Sequence, residues 1–186
     1  MASELHVDAI KHSGGTSAIT INSSGSVNIP GSVIQLVSTT TTDTSSLASV
    51  NFLEFSALST SITPKFSSSK IFVTLNICVG NANDDNYNQF KVKRDSTEIG
   101  IGTSVSSAST VTFANNGPYT HAQYEMHASS YSILDSPNTT SQITYKLFAR
   151  AMATTTRTMY FNRASDVTDA NRSSTTSTMT LMEIAG

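Results

Sequence analysis

Few side chains in this 186-residue sequence are suited to binding a metal ion. The four histidines form two pairs, His6 with His12 and His121 with His127, and the members of each pair are six residues apart. If each pair lies on one continuous strand, its members share a face but stand roughly 20 Å apart, which is too far for one ion. Single histidines from three chains could still meet on a trimer axis.

The segment Asn83-Asp84-Asp85-Asn86 is a cluster of oxygen ligands that could hold Ca²⁺. It lacks the spaced carboxylates and the distal glutamate of an EF-hand loop, so a polar turn between two strands is favoured. We therefore expect no resident metal and no cofactor.

Nucleophilic catalysis has no specific signal in the sequence. With 31 serines and 27 threonines, a Ser–His–Asp combination can be drawn anywhere, and no Gly-x-Ser-x-Gly motif is present. Cys78 falls within an apolar alternating segment, which predicts a buried, inert thiol. Most aspartates, among them Asp135, lie in predicted turns, where local hydrogen bonds explain them. We therefore expect a protein that is not an enzyme.

The charge pattern argues against nucleic acid and membrane as partners. Only 13% of residues are charged and the formal net charge is -2, whereas phosphate binding needs clustered lysine and arginine. The densest basic stretch, Lys91, Lys93 and Arg94, is expected to form a solvated strand face. No apolar run reaches the roughly 18 residues that span a bilayer, and the first ten residues lack a secretory pattern. We expect a soluble protein made in a cytoplasm.

The elements that carry these side chains are predicted to be strands. Residues 71–79 place an apolar residue at every odd position, and Phe90 and Val92 alternate with lysines before a turn at residues 94–97. Together with the other alternating segments, these patterns predict an all-β fold, an antiparallel β-sandwich of the jelly-roll kind over residues 32–186. The other predicted strands are residues 33–37, 58–62, 124–126, 131–134, 143–147, 159–161 and 179–181.

Residues 1–31 are predicted to form a separate N-terminal arm. Residues 18–21 and 26–29 each alternate and flank Asn22-Ser-Ser-Gly25, which predicts a small hairpin. A two-stranded hairpin alone is marginal in water, so its apolar side chains need a partner surface on the main domain, on another arm or on another protein. The candidate assembly contacts are Ile10, Ile19, Ile21, Val27 and Ile29.

Residues 18–31, Ala-Ile-Thr-Ile-Asn-Ser-Ser-Gly-Ser-Val-Asn-Ile-Pro-Gly, resemble a segment near the N-termini of fibre and decoration proteins of tailed bacteriophages, especially those of marine bacteria and cyanobacteria. The remainder is similar to the β-domain that often follows this segment. The matching phrases are Val-Ile-Gln-Leu-Val at 33–37, Ser-Ile-Thr-Pro at 61–64, Ser-Ser-Lys-Ile at 68–71, Lys-Arg-Asp-Ser-Thr at 93–97, Leu-Asp-Ser-Pro at 134–137, Phe-Asn-Arg at 161–163 and Met-Glu-Ile-Ala at 182–185.

The resemblance implies a virion structural protein that forms a homotrimer on the particle surface. Its arm would point toward the particle, with the major capsid protein as the expected partner, and its β-domain would point outward. The resemblance supplies no catalytic residues. Because thirty stretched residues reach only about 100 Å, we expect a short projection, which suits a capsid decoration or head fibre better than a long tail fibre.

The alternative function is a tail-fibre or tail-tip adhesin that binds a host surface glycan or receptor. Its binding loops would be residues 81–87 and 115–120, which are rich in asparagine and tyrosine. Ordinary polar turns explain the same composition. The candidate residues are Asp84, Asp85, Tyr87, Asn115, Asn116 and Tyr119.

Overall fold

The computed structural model describes residues 6–82, 87–116, 121–152 and 154–186. The described residues form fourteen strands and one short 3₁₀ helix, which confirms the all-β prediction. The strands are β1 (Ala9–Lys11), β2 (Ser17–Ile21), β3 (Val27–Asn28), β4 (Val33–Thr41), β5 (Ser46–Ala48), β6 (Leu53–Ile62), β7 (Lys70–Asn81), β8 (Tyr87–Arg94), β9 (Thr97–Ile99), β10 (Phe113–Asn116), β11 (Met126–Asp135), β12 (Ile143–Arg150), β13 (Thr158–Phe161) and β14 (Ser177–Ile184). The 3₁₀ helix is η1 (Ala122–Tyr124).

Two antiparallel sheets make the body of the protein. Sheet 1 has the order β4-β14-β7-β11, and the short pair β13-β5 continues it beside the end of β7. Sheet 2 has the order β6-β12-β8, with β9 and β10 sharing the outer edge of β8. Successive long strands mostly cross from one sheet to the other, and this order is that of a jelly roll. The predicted antiparallel sandwich is therefore confirmed.

The core lies between the two sheets and follows the alternation in the sequence. On β7, Ile71, Val73, Leu75, Ile77 and Val79 are each at most 1% exposed. The facing side chains of sheet 2 are equally buried and include Phe90, Val92, Tyr145 and Leu147. Burial of this continuous apolar layer is the main stabilising term of the fold.

Two predictions about local structure were wrong, and one predicted strand is longer than expected. Residues 122–124 form η1, so the strand predicted at 124–126 instead begins at Met126 and continues through the strand predicted at 131–134. The strand predicted at 58–62 begins at Leu53, because a bulge opposite Lys146 and Phe148 resets its alternation. Cys78 is only half-buried, since it occupies an even, outward position of β7.

The arm is a three-stranded sheet, not the predicted hairpin. Strand β2 pairs with β3 as expected, and it also pairs with β1 along its other edge. No strand of the body pairs with this arm sheet among the described residues. The chain enters sheet 1 directly after Gly31, whose positive φ of 82° turns the backbone at the junction.

No helix in the described part of the chain has the length and apolar character needed to cross a bilayer.

Candidate functional site

The arm sheet gathers the predicted assembly residues on one face. In the strand register Ile10 lies opposite Ile19, and Ile21 lies opposite Val27, so these four side chains project from the same side. Ile10 is 47% exposed and Val27 is 45% exposed, while Ile19 and Ile21 are half-buried. Ile29, just beyond β3, is also 45% exposed. The arm therefore presents an apolar face that the described residues leave partly open.

Asn22 fixes the turn that closes β2 on β3. Its side-chain Oδ1 accepts hydrogen bonds from the backbone N–H groups of Ser24 and Ser26 at 3.1 and 2.8 Å. Gly25 has a φ of 78°, a conformation that glycine adopts without strain. The predicted role of Asn22-Ser-Ser-Gly25 as a turn is therefore correct, and the turn sets the register that pairs Ile21 with Val27.

The arm is tied to the body through the last residues of the chain. The Gly31 N–H donates to Ala185 O at 2.8 Å, and the Ala185 N–H donates to Ser32 O at 2.9 Å. The side chain of Asn28 donates to Gly186 O at 3.3 Å. A groove of about 420 Å³ lies between the arm and the body, with Val27, Ile29 and Lys65 in its wall.

Glu183 lies on β14 and is fully buried. It fixes residues 65–66, and Lys65 lines the groove between the arm and the body. Its carboxylate accepts hydrogen bonds from the backbone N–H of Lys65 at 2.7 Å, from the N–H of Phe66 at 3.3 Å and from Gln35 Nε2 at 2.6 Å. This role was not predicted from the sequence. The sequence does contain a signal for it, because Glu183 is an acidic residue at the next inward position of the strand after Met179 and Leu181.

A second carboxylate, Asp135, closes the same end of the sandwich. It accepts two hydrogen bonds from Arg94, at 2.7 and 2.8 Å, and one from the Tyr145 hydroxyl at 2.7 Å. Burial raises the pKa of Tyr145 above its usual range, and the hydrogen bond to Asp135 adds to this effect. The prediction of Asp135 as a turn aspartate with local bonds was wrong, because its partners come from both strands β8 and β12 of the opposite sheet.

The basic stretch is split between two environments. Lys91 and Lys93 point outward from sheet 2 and pair with Glu98 at 2.9 and 3.6 Å, as expected for a solvated face. The hydrogen bond from Lys91 holds the pKa of Glu98 below its usual value. Arg94 instead turns inward to Asp135, so the expectation of one solvated face was wrong for this residue.

The predicted adhesin residues do not form one exposed cluster in the part of the chain that is described. Asp84, Asp85 and Tyr119 lie outside the described residues. Tyr87 begins β8 and is 37% exposed, and Asn116 is its partner in the β8–β10 register. The Asn115 side chain is internal to a network: its Oδ1 accepts from Asn88 Nδ2 at 2.8 Å and its Nδ2 donates to Ser129 Oγ at 2.6 Å.

The end of the sandwich opposite the arm carries three asparagines, Asn81, Asn88 and Asn115, which we call the amide layer. Asn81 and Asn88 are fully buried. Neither side-chain atom of Asn81, nor Asn88 Oδ1, has a hydrogen-bond partner among the described residues.

The same end also holds Asn162, whose buried amide donates to the carbonyl oxygens of Thr41 and Asp43 and accepts from the Ser177 hydroxyl. At the arm end the bonded groups are instead two carboxylates, because Asp135 and Glu183 each accept three hydrogen bonds.

The histidines do not converge within the described chain. His121 and His127 are separated by η1, so they do not lie on one continuous strand. His127 Nε2 is 3.8 Å from a carboxylate oxygen of Glu125, and the His12 side chain accepts a hydrogen bond from the Gly14 N–H. Among the described residues no three His, Cys, Asp or Glu side chains come together as a metal-binding group.

Comparison with known proteins gives no family assignment: no protein-family model matches the chain, and no curated protein matches it.

Proposed function

We propose that this chain is a non-enzymatic structural protein of a tailed-phage virion, a short trimeric projection anchored to the capsid by its arm. The observation that carries the proposal is the one-sided apolar face of the arm sheet, with Ile10 and Val27 both close to half exposed. Exposed apolar side chains gathered on one face are typical of a docking surface. The major capsid protein is the proposed partner of this face.

The architecture of the body supports the same function. A jelly roll of two four-strand layers buries its own core and does not need the arm to complete it. The arm is held by hydrogen bonds to Ala185 and Gly186 at one end of the body. This arrangement leaves the opposite end free to point away from a particle.

The test is incorporation into particles of the phage that encodes the chain. We expect that deletion of residues 1–31 leaves a soluble β-domain that no longer co-sediments with particles. We also expect Val27→Asp in the full chain to reduce incorporation strongly, because it places a charge on the apolar face of the arm. Ser23→Asp is the matched control, since Ser23 is an exposed turn residue of the same arm. Incorporation of the Val27→Asp chain at the wild-type level would overturn the docking role.

The copy number per particle separates this proposal from the adhesin alternative. Hundreds of copies on a stained gel of purified particles would fit a capsid protein, whereas a few to some dozens would fit the tail. A tail-like copy number together with adsorption of the purified protein to host cells would replace the capsid proposal with the adhesin.

A further inference from the structure

The outer faces of the two sheets differ in charge. On sheet 2, Lys91, Lys93 and Lys146 project outward and form ion pairs with Glu54 and Glu98. On sheet 1, three rows of outward side chains cross strands β4, β14, β7 and β11, and none of these side chains is charged. The exposed Lys70 lies outside these rows, at the arm end of β7. We call these three rows the neutral face.

The first row of the neutral face is apolar. It runs Leu36, Met182, Phe72 and Leu134, in direct register across the four strands. Leu36 is 57% exposed and Leu134 is 49% exposed, so the row lies open at both edges of the sheet. It is also at the end of the sheet that joins the arm, beside the exposed Val33.

The other two rows are built from small polar residues. One runs Ser38, Thr180, Thr74 and Ser132, and the next runs Thr40, Thr178, Asn76 and Ser130. Several of these groups bond within the face: Ser38 Oγ lies 2.8 Å from Thr180 Oγ1, and Ser130 Oγ donates to Asn76 Oδ1 at 2.5 Å. A face whose hydroxyls partly satisfy each other loses less hydration energy when it is covered.

We infer that the neutral face is turned toward the rotation axis of the homo-oligomer, where neighbouring copies of this chain cover it. The reason is symmetry: a side chain near a rotation axis meets its own copies, so any charge there would meet the same charge. Neutral hydroxyl and apolar rows avoid that repulsion. The inference deepens the proposed function and rests on it, because it names the surface by which the proposed trimer would form.

The size of the face fits a partial interface. Four strands about 4.8 Å apart, with three outward rows spanning about six residues of each strand, give an area of roughly 400 Å². A stable interface usually buries about 800 Å² on each partner, so the neutral face would supply about half of it. The apolar row lies at the arm end, so arms of neighbouring copies can supply the rest.

A matched pair of hydroxyl sites tests this inference. At the centre of the neutral face, Thr180 Oγ1 lies 2.8 Å from Ser38 Oγ. On the outer face of sheet 2, Thr144 Oγ1 lies 2.8 Å from Ser61 Oγ. We expect the full-length wild-type chain to have three times the 19.8 kDa chain mass in light scattering. Thr180→Lys should shift that mass to the monomer, and Thr144→Lys should leave it unchanged. Circular dichroism checks that both variants fold.

A second pair of substitutions tests the inference if the Thr180→Lys variant does not fold. Ser132→Lys changes an exposed position on the edge strand β11 of the neutral face, and Ser61→Lys is its counterpart on sheet 2. A wild-type monomer, or an oligomer that survives both Thr180→Lys and Ser132→Lys, would overturn the inference. These outcomes are distinguishable from a failure of particle docking, because light scattering is measured on the purified chain in the absence of capsid protein.

Discussion

The two ends of the sandwich are closed by polar groups of different kinds. At the arm end, the carboxylates of Asp135 and Glu183 each accept three hydrogen bonds, and those bonds reach several separate segments of the chain. At the opposite end, the amides of Asn81 and Asn88 leave three buried atoms without partners among the described residues. Buried atoms without a described partner occur at the arm end too, at Asn28 Oδ1 and Ser69 Oγ, so the two ends differ mainly in the charge of their bonded groups. Hydrogen bonds to a carboxylate are stronger than bonds between neutral groups, so the arm end is expected to be the more rigid end.

This difference agrees with the proposed attachment of the protein. A projection transmits force through the end that carries its anchor, and here that end is cross-linked by charge-assisted hydrogen bonds. The network described at the opposite end is neutral: the buried amide of Asn162 donates to the carbonyl oxygens of Thr41 and Asp43 and accepts from the Ser177 hydroxyl. Substitutions at the two ends are therefore expected to change the free energy of unfolding by different amounts and, at Asn81, in the opposite direction.

The largest effect is expected at Asp135. Asp135→Ala removes the acceptor of both Arg94 and Tyr145, so a guanidinium and a hydroxyl are left in a mostly dry site. We expect a loss of about 3 kcal/mol in the free energy of unfolding, measured with denaturant. Asp135→Asn, which keeps one acceptor oxygen, should lose less. Equal losses in the two variants would show that the hydrogen bonds are not the cause.

The Asp135→Ala substitution is also expected to change the pKa of Tyr145. A raised pKa in the folded state means that this tyrosine contributes stability below the ordinary value of 10.0, and that the contribution is lost as the pH rises above it. Asp135→Ala removes the second cause of the shift but leaves burial, which is the largest cause. The pKa of Tyr145 should therefore fall in an ultraviolet titration yet stay above 10.0.

The sequence predicted the layers of the fold but not the closure of its ends. Two-residue alternation identified β7 and the β8–β9 hairpin, because each has one buried face and one open face. The pattern cannot specify which strands pair, so the jelly-roll order became visible only in the register. The inward hydrogen bonds of Asp135, Glu183 and Asn115 were not predicted, for a related reason. A polar residue at an inward position resembles the end of a strand until its distant partners are known.

In the arm, too, the sequence pattern predicted only part of the structure. The alternation placed Ile19, Ile21 and Val27 on one face correctly, but it gave no information on what covers that face. Strand β1 was missed as a pairing partner because it has only three residues, and its register shifts between Ile10 and Lys11. Sequence pattern thus predicts the direction of a side chain better than its environment.

A smaller effect is expected at Glu183. In Glu183→Gln the amide NH₂ must face either the Gln35 NH₂ or the backbone N–H groups of Lys65 and Phe66, so one donor loses its acceptor. We expect a loss of about 1 to 2 kcal/mol in the free energy of unfolding. Faster amide hydrogen exchange should follow in the 63–66 loop. Glu54→Gln on the outer face of sheet 2 is the control and should change both quantities little. Equal protection of the 63–66 loop in wild type and Glu183→Gln would contradict this role.

The smallest effect, with the opposite sign, is expected at Asn81. Its amide is fully buried, and it gains no hydrogen bond from the described residues to compensate for its lost hydration. Replacement by a leucine of similar size should therefore leave the stability unchanged or raise it by up to about 1 kcal/mol, measured by denaturant unfolding. Asn115→Leu is the matched control in the same layer and should be destabilising, because Asn115 bonds both Asn88 and Ser129. A clear loss of stability in Asn81→Leu would mean that buried water completes the amide layer, and the contrast between the two ends would then disappear.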